Sequence, residues 1–275
     1  MVQVKNRHVS SYWIKRIILD CSKRANTGHI GSALSIADII AALYSDVLKI
    51  SSPKDPDRDR FVLSKGHAAV ALYAALYLKG WISEDEINNY HNDGSTLGVH
   101  PDHKVSGIDF STGSLGMGLS FGAGAALAAR LQNSSRRVFV LVSDGECNEG
   151  SLWESVIFAA HHKLSNLTVI VDLNGQQALG YTDEVLNLSP LANRWNAFDW
   201  NVYDIDGHDT SKIIETIKSL NTQTGQPNVL IAHTVCGKDV SFMEHRIKWH
   251  YWPMSDAEYQ QALEEIEGKY EKSIL

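Results

Sequence analysis

Apolar residues recur along this chain at two periods, and the switch between them lays out its elements. Residues 9–25 put Tyr12, Ile14, Ile17, Ile18 and Cys21 on one broad face at helical spacing. The segment Thr27-Gly28-His29-Ile30-Gly31-Ser32 reads as a loop, and a second helix is predicted over 35–44, with Ser35 as N-cap and Asp38 at its third position. A polar stretch over 51–60 holds Pro53 and Pro56; a short strand over 61–63, a turn at Ser64-Lys65-Gly66-His67 and a buried helix over 68–78 ending at Gly80 follow. Residues 83–90 open with Ser83-Glu84-Asp85-Glu86, a capping-box pattern. Residues 92–116 lack periodicity and are rich in Gly, Ser and His; an irregular loop of that length in a compact domain generally carries function. Small residues dominate 116–131, broken by Gly118, Gly122 and Gly124, and predict a closely packed buried helix.

Two continuous apolar runs, 138–142 and 167–171, read as strands separated by a helix over 152–163. A polar stretch over 175–189, a short helix over 190–196, a strand over 201–205, a helix over 211–220 and a strand over 229–232 follow. An irregular, aromatic-rich stretch over 233–253 and an amphipathic helix over 256–270 close the chain. Strands that alternate with helices predict an α/β fold, a parallel sheet with helices on both faces. No repeat, linker or low-complexity segment divides the 275 residues, so one domain over 1–275 is expected.

Composition narrows the partners. Hydrophobic content of 44% and charged content of 21% fit an ordinary globular protein. A net charge of −7 and no run of Lys or Arg argue against nucleic acid and membrane surfaces; Arg136-Arg137 reads as a solvated loop. Residues 1–6 lack the apolar core of a secretion signal, and no window reaches the length of a membrane span. Cys21, Cys147 and Cys236 are odd in number and widely spaced, so neither disulfides nor a zinc site is expected and a cytoplasmic setting is. Cys147 has no His near it in sequence and reads as structural.

The chemistry concentrates at the two central runs. The first leads into Ser143-Asp144-Gly145-Glu146 and the second into Asp172-Leu173-Asn174-Gly175-Gln176. This is a strand, acidic turn, helix, strand and amide turn, which sets two hard oxygen ligands at the carboxyl ends of parallel strands. Mg²⁺ prefers a few protein oxygens together with the phosphates of its ligand. Asp144 would supply a carboxylate, Asn174 a side-chain carbonyl and the main chain at Gln176 a third oxygen, while Gly145 would let the backbone close on a phosphate. The plainer alternative is a glycine turn with Asp144 as an N-cap. Four further loops carry histidine: His29, His67, His100 with His103, and His250. One loop histidine is usually a surface residue, but four loops on one α/β sheet favour a convergent site, and imidazole trades protons with hydroxyls near neutral pH.

The Asp144 and Asn174 turns resemble the metal–diphosphate motif of thiamine diphosphate enzymes, whose pattern opens Gly-Asp-Gly and closes on an Asn at the separation found here. Ser143 departs from it by replacing the first Gly. Gly28-His29, Leu63-Ser64-Lys65-Gly66-His67-Ala68, Gly98-Val99-His100-Pro101, Thr112-Gly113-Ser114-Leu115-Gly116-Met117-Gly118, Lys238-Asp239-Val240-Ser241-Phe242-Met243-Glu244 and Trp249-His250 are similar, in order, to landmarks of transketolase, over residues 25–252. The resemblance implies a thiamine diphosphate-binding fold and a Mg²⁺- and thiamine diphosphate-dependent transfer of a two-carbon ketol unit from a ketose to an aldose. It implies cofactor contacts from His67, Gly113, Leu115, Asp144, Gly145, Asn174 and His250, metal contacts from Asp144, Asn174 and Gln176, and substrate-facing catalytic histidines His29, His100 and His250. Glu149 matches a family glutamate near the subunit contact, and equally suits a helix N-terminus. His103, His161 and His162 match no functional landmark; the last two suit a helix end.

The resemblance also implies what must come from elsewhere. Transketolase takes the carboxylate that activates its cofactor from a pyrimidine-binding domain, and that domain and the C-terminal one have no counterpart in these 275 residues. The chain is expected to be the first subunit of a split transketolase, an α₂β₂ heterotetramer with a C-terminal transketolase subunit, working on sugars or sugar phosphates. Three other readings are an alpha subunit of a 2-oxo acid dehydrogenase, a non-catalytic thiamine diphosphate-binding regulator and a Rossmann nucleotide binder. The histidine set weighs against the first two, and the absence of Gly-x-Gly-x-x-Gly after the first strand against the third.

Overall fold

A computed structural model describes residues 8–220 and 225–274. Residues 1–6, expected to hold no secretion signal, lie outside them. In chain order the helices are α1 (Ser11–Ala25), α2 (Ile30–Ser35), α3 (Ala37–Ala42), α4 (Ala69–Leu78), α5 (Glu84–Asn88), α6 (Gly118–Leu131), α7 (Gly150–His161), α8 (Thr182–Val185), α9 (Leu191–Ala197), α10 (Thr210–Ser219), α11 (Lys248–Tyr251) and α12 (Asp256–Ile274). The strands are β1 (Arg60–Leu63), β2 (Val138–Ser143), β3 (Leu167–Leu173), β4 (Gln176–Gln177), β5 (Gly180–Tyr181), β6 (Asn201–Asp206) and β7 (Asn228–His233).

Five strands form one sheet in the order β1-β2-β3-β7-β6, with every neighbouring pair parallel. All six residues of β2 are buried, as expected of a β-branched run covered on both faces. Alternation sorts the side chains into two cores. Phe139, Leu141, Ile170 and Leu230 join the core built with α1, α3, α4, α10 and α12. Val140, Val142, Val169 and Ile231 join the opposite core, with α6, α7 and α9. The small residues of α6 let it lie close on the sheet: a Cβ on Gly122 would stand 2.3 Å from Val140 Cγ2. The capping box at Ser83 forms as expected, with Glu86 N donating to Ser83 Oγ at 3.2 Å and Ser83 N to Glu86 Oε2 at 2.8 Å.

Three features differ from the expectation. The second helical segment begins at Ile30, within the expected loop, and Ser35 is not an N-cap: its Oγ donates to Ser32 O at 2.9 Å and to Asp172 Oδ2 at 2.8 Å. All six residues Ile30–Ser35 are buried, and packing outweighs the weak helix preference of Gly31 and the two serines. The polar stretch after Asn174 holds a small antiparallel hairpin, β4 with β5, and the aromatic stretch before α12 holds the short α11. Among the described residues, no helix is long and apolar enough to cross a membrane.

Because the sheet is parallel, β1, β2, β3 and β7 deliver their carboxyl ends to one edge, where open α/β sheets bind ligands.

Candidate active site

Ser143 is in register with Asp172, so the turns after β2 and β3 leave the sheet side by side. They are also bonded to each other. Asp144 Oδ1 accepts from Gly145 N at 2.8 Å, and its Oδ2 accepts from Gly175 N at 2.6 Å. Asp144 therefore does cap the short turn Gly145–Asn148, as the plainer reading has it, and reaches the Asn174 turn as well. Burial and the neighbouring Asp172 push the Asp144 carboxyl up to about 7, a state that a divalent cation beside it would reverse. Asn174 is fixed at both ends of its amide: Nδ2 donates to Asp172 Oδ2 at 2.8 Å and Oδ1 accepts from Gln176 N at 2.9 Å.

Behind this pair lies a sealed ionic centre. Lys65 and Asp172 are both fully buried, and Lys65 Nζ meets Asp172 Oδ2 at 2.5 Å and Ser32 O at 3.1 Å. The Ser35 and Thr234 hydroxyls also donate to Asp172. One carboxylate at the end of β3 thus gathers α2, the β1 turn, the Asn174 amide and the residue after β7. Glu146 does the same beside β2. It is fully buried, accepts from the Ser64 hydroxyl, from Gly116 N at 2.7 Å and from Ser143 N at 3.3 Å, and burial raises its pKa. Ser143, the departure from the glycine pattern, accepts from Glu146 N through Oγ at 3.1 Å. A Cβ on Gly145 would stand 2.7 Å from Gln177 Cβ, so the bare backbone there serves packing against β4.

Three of the four loop histidines converge. Ring centroids of His29, His67 and His250 are 4.9–5.3 Å apart in every pairing. His29 N donates to His250 O at 3.1 Å, which ties their segments together, and His67 Nε2 lies 2.8 Å from Ser32 Oγ. Burial lowers the pKa of each ring; Lys65 and the neighbouring imidazoles add to this for His67, which lies well below the usual value, and His250 is lowered to about 4. All three are neutral near pH 7. His29 holds a left-handed backbone, φ 60°, and its Nδ1 is buried without a partner. His100 lies on the exposed rim, its carbonyl held by Tyr73 Oη at 2.9 Å, and a Cβ on Gly113 would stand 3.2 Å from its ring.

A cavity of about 150 Å³ is lined by His67, Leu115, Gly145, Asn174, Gln176 and His250, while His29, His100 and Gly113 lie outside its lining. Ser32, Asn148, Gln177, Ala178 and Cys236 line it too and had no expected role. Asp144 faces an adjoining cavity of about 230 Å³, with Asn148 in the lining of both. Among the described residues, no three His, Cys, Asp or Glu side chains stand grouped for a metal, so an ion here would rest on a mixed oxygen set that phosphates complete. The donors present fit such a complex: one carboxylate, one oriented amide, main-chain groups, and buried amide atoms of Gln176 without partners.

The residues outside the site are equally clear. His103 is exposed and its ring meets Ser111 at 3.0 Å; His161 and His162 end α7. Cys147 is sealed and burial raises its thiol far up, as a structural cysteine requires. Glu149, by contrast, lines the 150 Å³ cavity; it precedes α7, exposed and without a side-chain capping bond. Sequence reasoning missed the roles of Lys65, Asp172 and Glu146. The signal was present: an Asp closing an otherwise apolar strand needs a buried counter-charge.

Comparison with known proteins decides the family. The model for the transketolase thiamine diphosphate binding domain matches residues 5–272. The chain belongs to the transketolase family. The matched domain is the one that binds thiamine diphosphate, which transketolases use with a divalent metal. An apulose-4-phosphate transketolase subunit of Phocaeicola vulgatus is 38% identical over 273 residues, 98% of this chain and 97% of that protein. The 6-deoxy-6-sulfo-D-fructose transketolase subunit SqwG of a Clostridium species is 37% identical over 92% of this chain and 94% of its own length. The crystal structure of transketolase from Campylobacter jejuni matches with a TM-score of 0.87 at 30% identity, over 94% of this chain and 42% of that one. The chain thus spans less than half of that transketolase and nearly the whole of the two subunits.

Proposed function

We propose that this chain is the diphosphate-binding subunit of a split, Mg²⁺-dependent transketolase that moves a two-carbon ketol unit from a ketose to an aldose. The observation that carries the reading is the hydrogen bond from Gly175 N to Asp144, which joins the two oxygen-bearing turns beside three neutral imidazoles. Asp144, Asn174 and the Gln176 main chain hold the metal. His67, Gly145, Asn174 and His250 hold the diphosphate, and Gly113 and Leu115 approach the rings. When bound, thiamine diphosphate supplies a nucleophilic carbon and an electron sink for cleavage between C2 and C3 of a ketose. His29, His100 and His250 face the sugar, take the proton of the donor's C3 hydroxyl as it becomes a carbonyl, and give a proton to the carbonyl oxygen of the incoming aldose as it becomes a hydroxyl. Their lowered pKa values keep His29 and His250 in the accepting form near neutrality.

A second chain completes the site. Both of these relatives carry the word subunit in their names, and this chain spans 97% and 94% of them. Two helices that pack on each other expose large apolar side chains: Met117, just before α6, and Phe121 on it are 42% and 38% exposed, and Ile157 and Phe158 on α7 are 50% and 39% exposed. Surfaces of this kind mark protein contacts. No Lys or Arg lines the 150 Å³ cavity, so the anionic end of a sugar phosphate or sulfonate would be bound by the partner. We assign the pyrimidine-binding and C-terminal domains to that partner, within an α₂β₂ assembly, and place it in the cytoplasm, where the three free, buried cysteines would stay reduced. The test is to assay ketol transfer by the purified chain with thiamine diphosphate and Mg²⁺, alone and with the candidate second subunit. Activity is expected only in the mixture; full activity of the chain alone would defeat the split-subunit reading.

A further inference from the structure

Three side-chain amides in the cavity wall have atoms that the fold leaves without partners. Gln176 is only 8% exposed, and both its Oε1 and Nε2 are buried with no hydrogen-bond partner. Gln177 Nε2 and Asn148 Oδ1 are in the same state. All three residues line the 150 Å³ cavity. Asn148 ends the turn that begins at Asp144, Gln176 follows Asn174 by two residues, and Gln177 packs its Cβ against Gly145. They therefore surround the pair of turns that offers the metal oxygens. Asn174, close by, has both amide atoms bonded, so lack of a partner is specific to these three and not general to the turns.

A buried amide without a partner is destabilising unless something bonds to it in the working state. The cavity wall has no cationic side chain to meet a diphosphate, and the Lys65 ammonium is sealed and paired with Asp172. We propose that the side-chain amides of Gln176, Gln177 and Asn148 form a neutral clamp on the cofactor diphosphate and its metal-bound water. The amide nitrogens donate to phosphate oxygens, and the amide oxygens accept from water held on the cation. This goes further than the main-chain contact at Gln176, and it rests on the cofactor site proposed above.

The test uses the full chain, magnesium pyrophosphate as probe, and two readouts. Gln176→Leu keeps the volume and removes the amide. Calorimetric affinity for magnesium pyrophosphate is expected to fall by about tenfold to a hundredfold, the usual worth of a hydrogen bond to a charged group. The thermal midpoint of the ligand-free variant is expected to hold or rise, since a buried unpaired amide has been removed. Gln177→Ala, at a half-buried position, is expected to lose affinity to a smaller degree and guards against a Gln176 variant that fails to fold. A wild-type chain that binds while both variants bind equally well would overturn the clamp alone. A fall in ligand-free stability that accounts for the lost affinity would overturn it too, since the amides would then be structural. A wild-type chain that takes up no magnesium pyrophosphate would remove the diphosphate site and the clamp together.

Discussion

Asp172→Asn tests whether the sealed ionic centre holds the metal turn in place. Asp172 accepts from Lys65, Ser35, Thr234 and Asn174, and it and Lys65 are wholly buried. Neutralising it leaves the Lys65 ammonium buried with the Ser32 carbonyl as its remaining strong acceptor. Removing one partner of a buried pair costs about 3–5 kcal/mol, a large share of a total stability on the order of 5–15 kcal/mol. With a urea slope of about 3 kcal/mol per molar, the midpoint should drop by about 1–2 M. Lys65→Met combined with Asp172→Leu removes both charges and should recover much of that loss. It should not recover ligand binding, because the Asn174 amide has lost its orienting acceptor. Affinity for magnesium pyrophosphate should stay about 10–100-fold below wild type, the usual effect of removing the group behind a metal ligand. Urea denaturation and calorimetry read the two effects separately. A single variant within about 1 kcal/mol of wild type would mean the pair does not stabilise the fold. A double variant that binds like wild type would mean Asp172 does not position Asn174.

Two further outcomes follow from burial. Burial pushes Cys21 and Cys236 up to about 12 and raises Cys147 well above the usual thiol value, so the native chain should not react with a thiol reagent at about pH 8, whereas all three should react in urea; a native thiol that titrates at once would contradict their sealing. His67 and His250 have pKa values depressed in the folded state, so the unfolded chain binds more protons than the native one between about pH 6.5 and the value near 4 of His250, and stability should fall as pH drops through that window. The acid limb of the urea midpoint should flatten in His250→Asn, and an unchanged limb would show that this imidazole titrates as it would in water.

The parts of the fold that local pattern controls were legible in advance. The runs that became β2 and β3 are continuous and β-branched, and the capping box at Ser83 lies within four residues. The Asp144 and Asn174 turns were readable for the same reason, since each closes a strong strand. Helix α2 was not, because Gly31 and Ser32 read as a loop and only the complete burial of Ile30–Ser35 makes them helical. Nor was the Lys65–Asp172 pair, whose partners are 107 positions apart. Glu146 could be seen beside Asp144, but its bond to Gly116 depends on α6 lying over the sheet. The histidines were found as a set by their glycine-rich loops. That His29, His67 and His250 form one cluster while His100 stays on the rim is set by how those loops pack.

The central claim is that Asp144 and Asn174 hold a divalent ion against the diphosphate of the cofactor. Its most direct test is calorimetric titration of the full chain with thiamine diphosphate, with Mg²⁺ and with a chelator, for wild type and for Asp144→Ala. Wild-type uptake should require Mg²⁺, and the variant should bind no better with the metal than without it. An Asp144→Ala chain that keeps wild-type, Mg²⁺-dependent affinity would contradict the account.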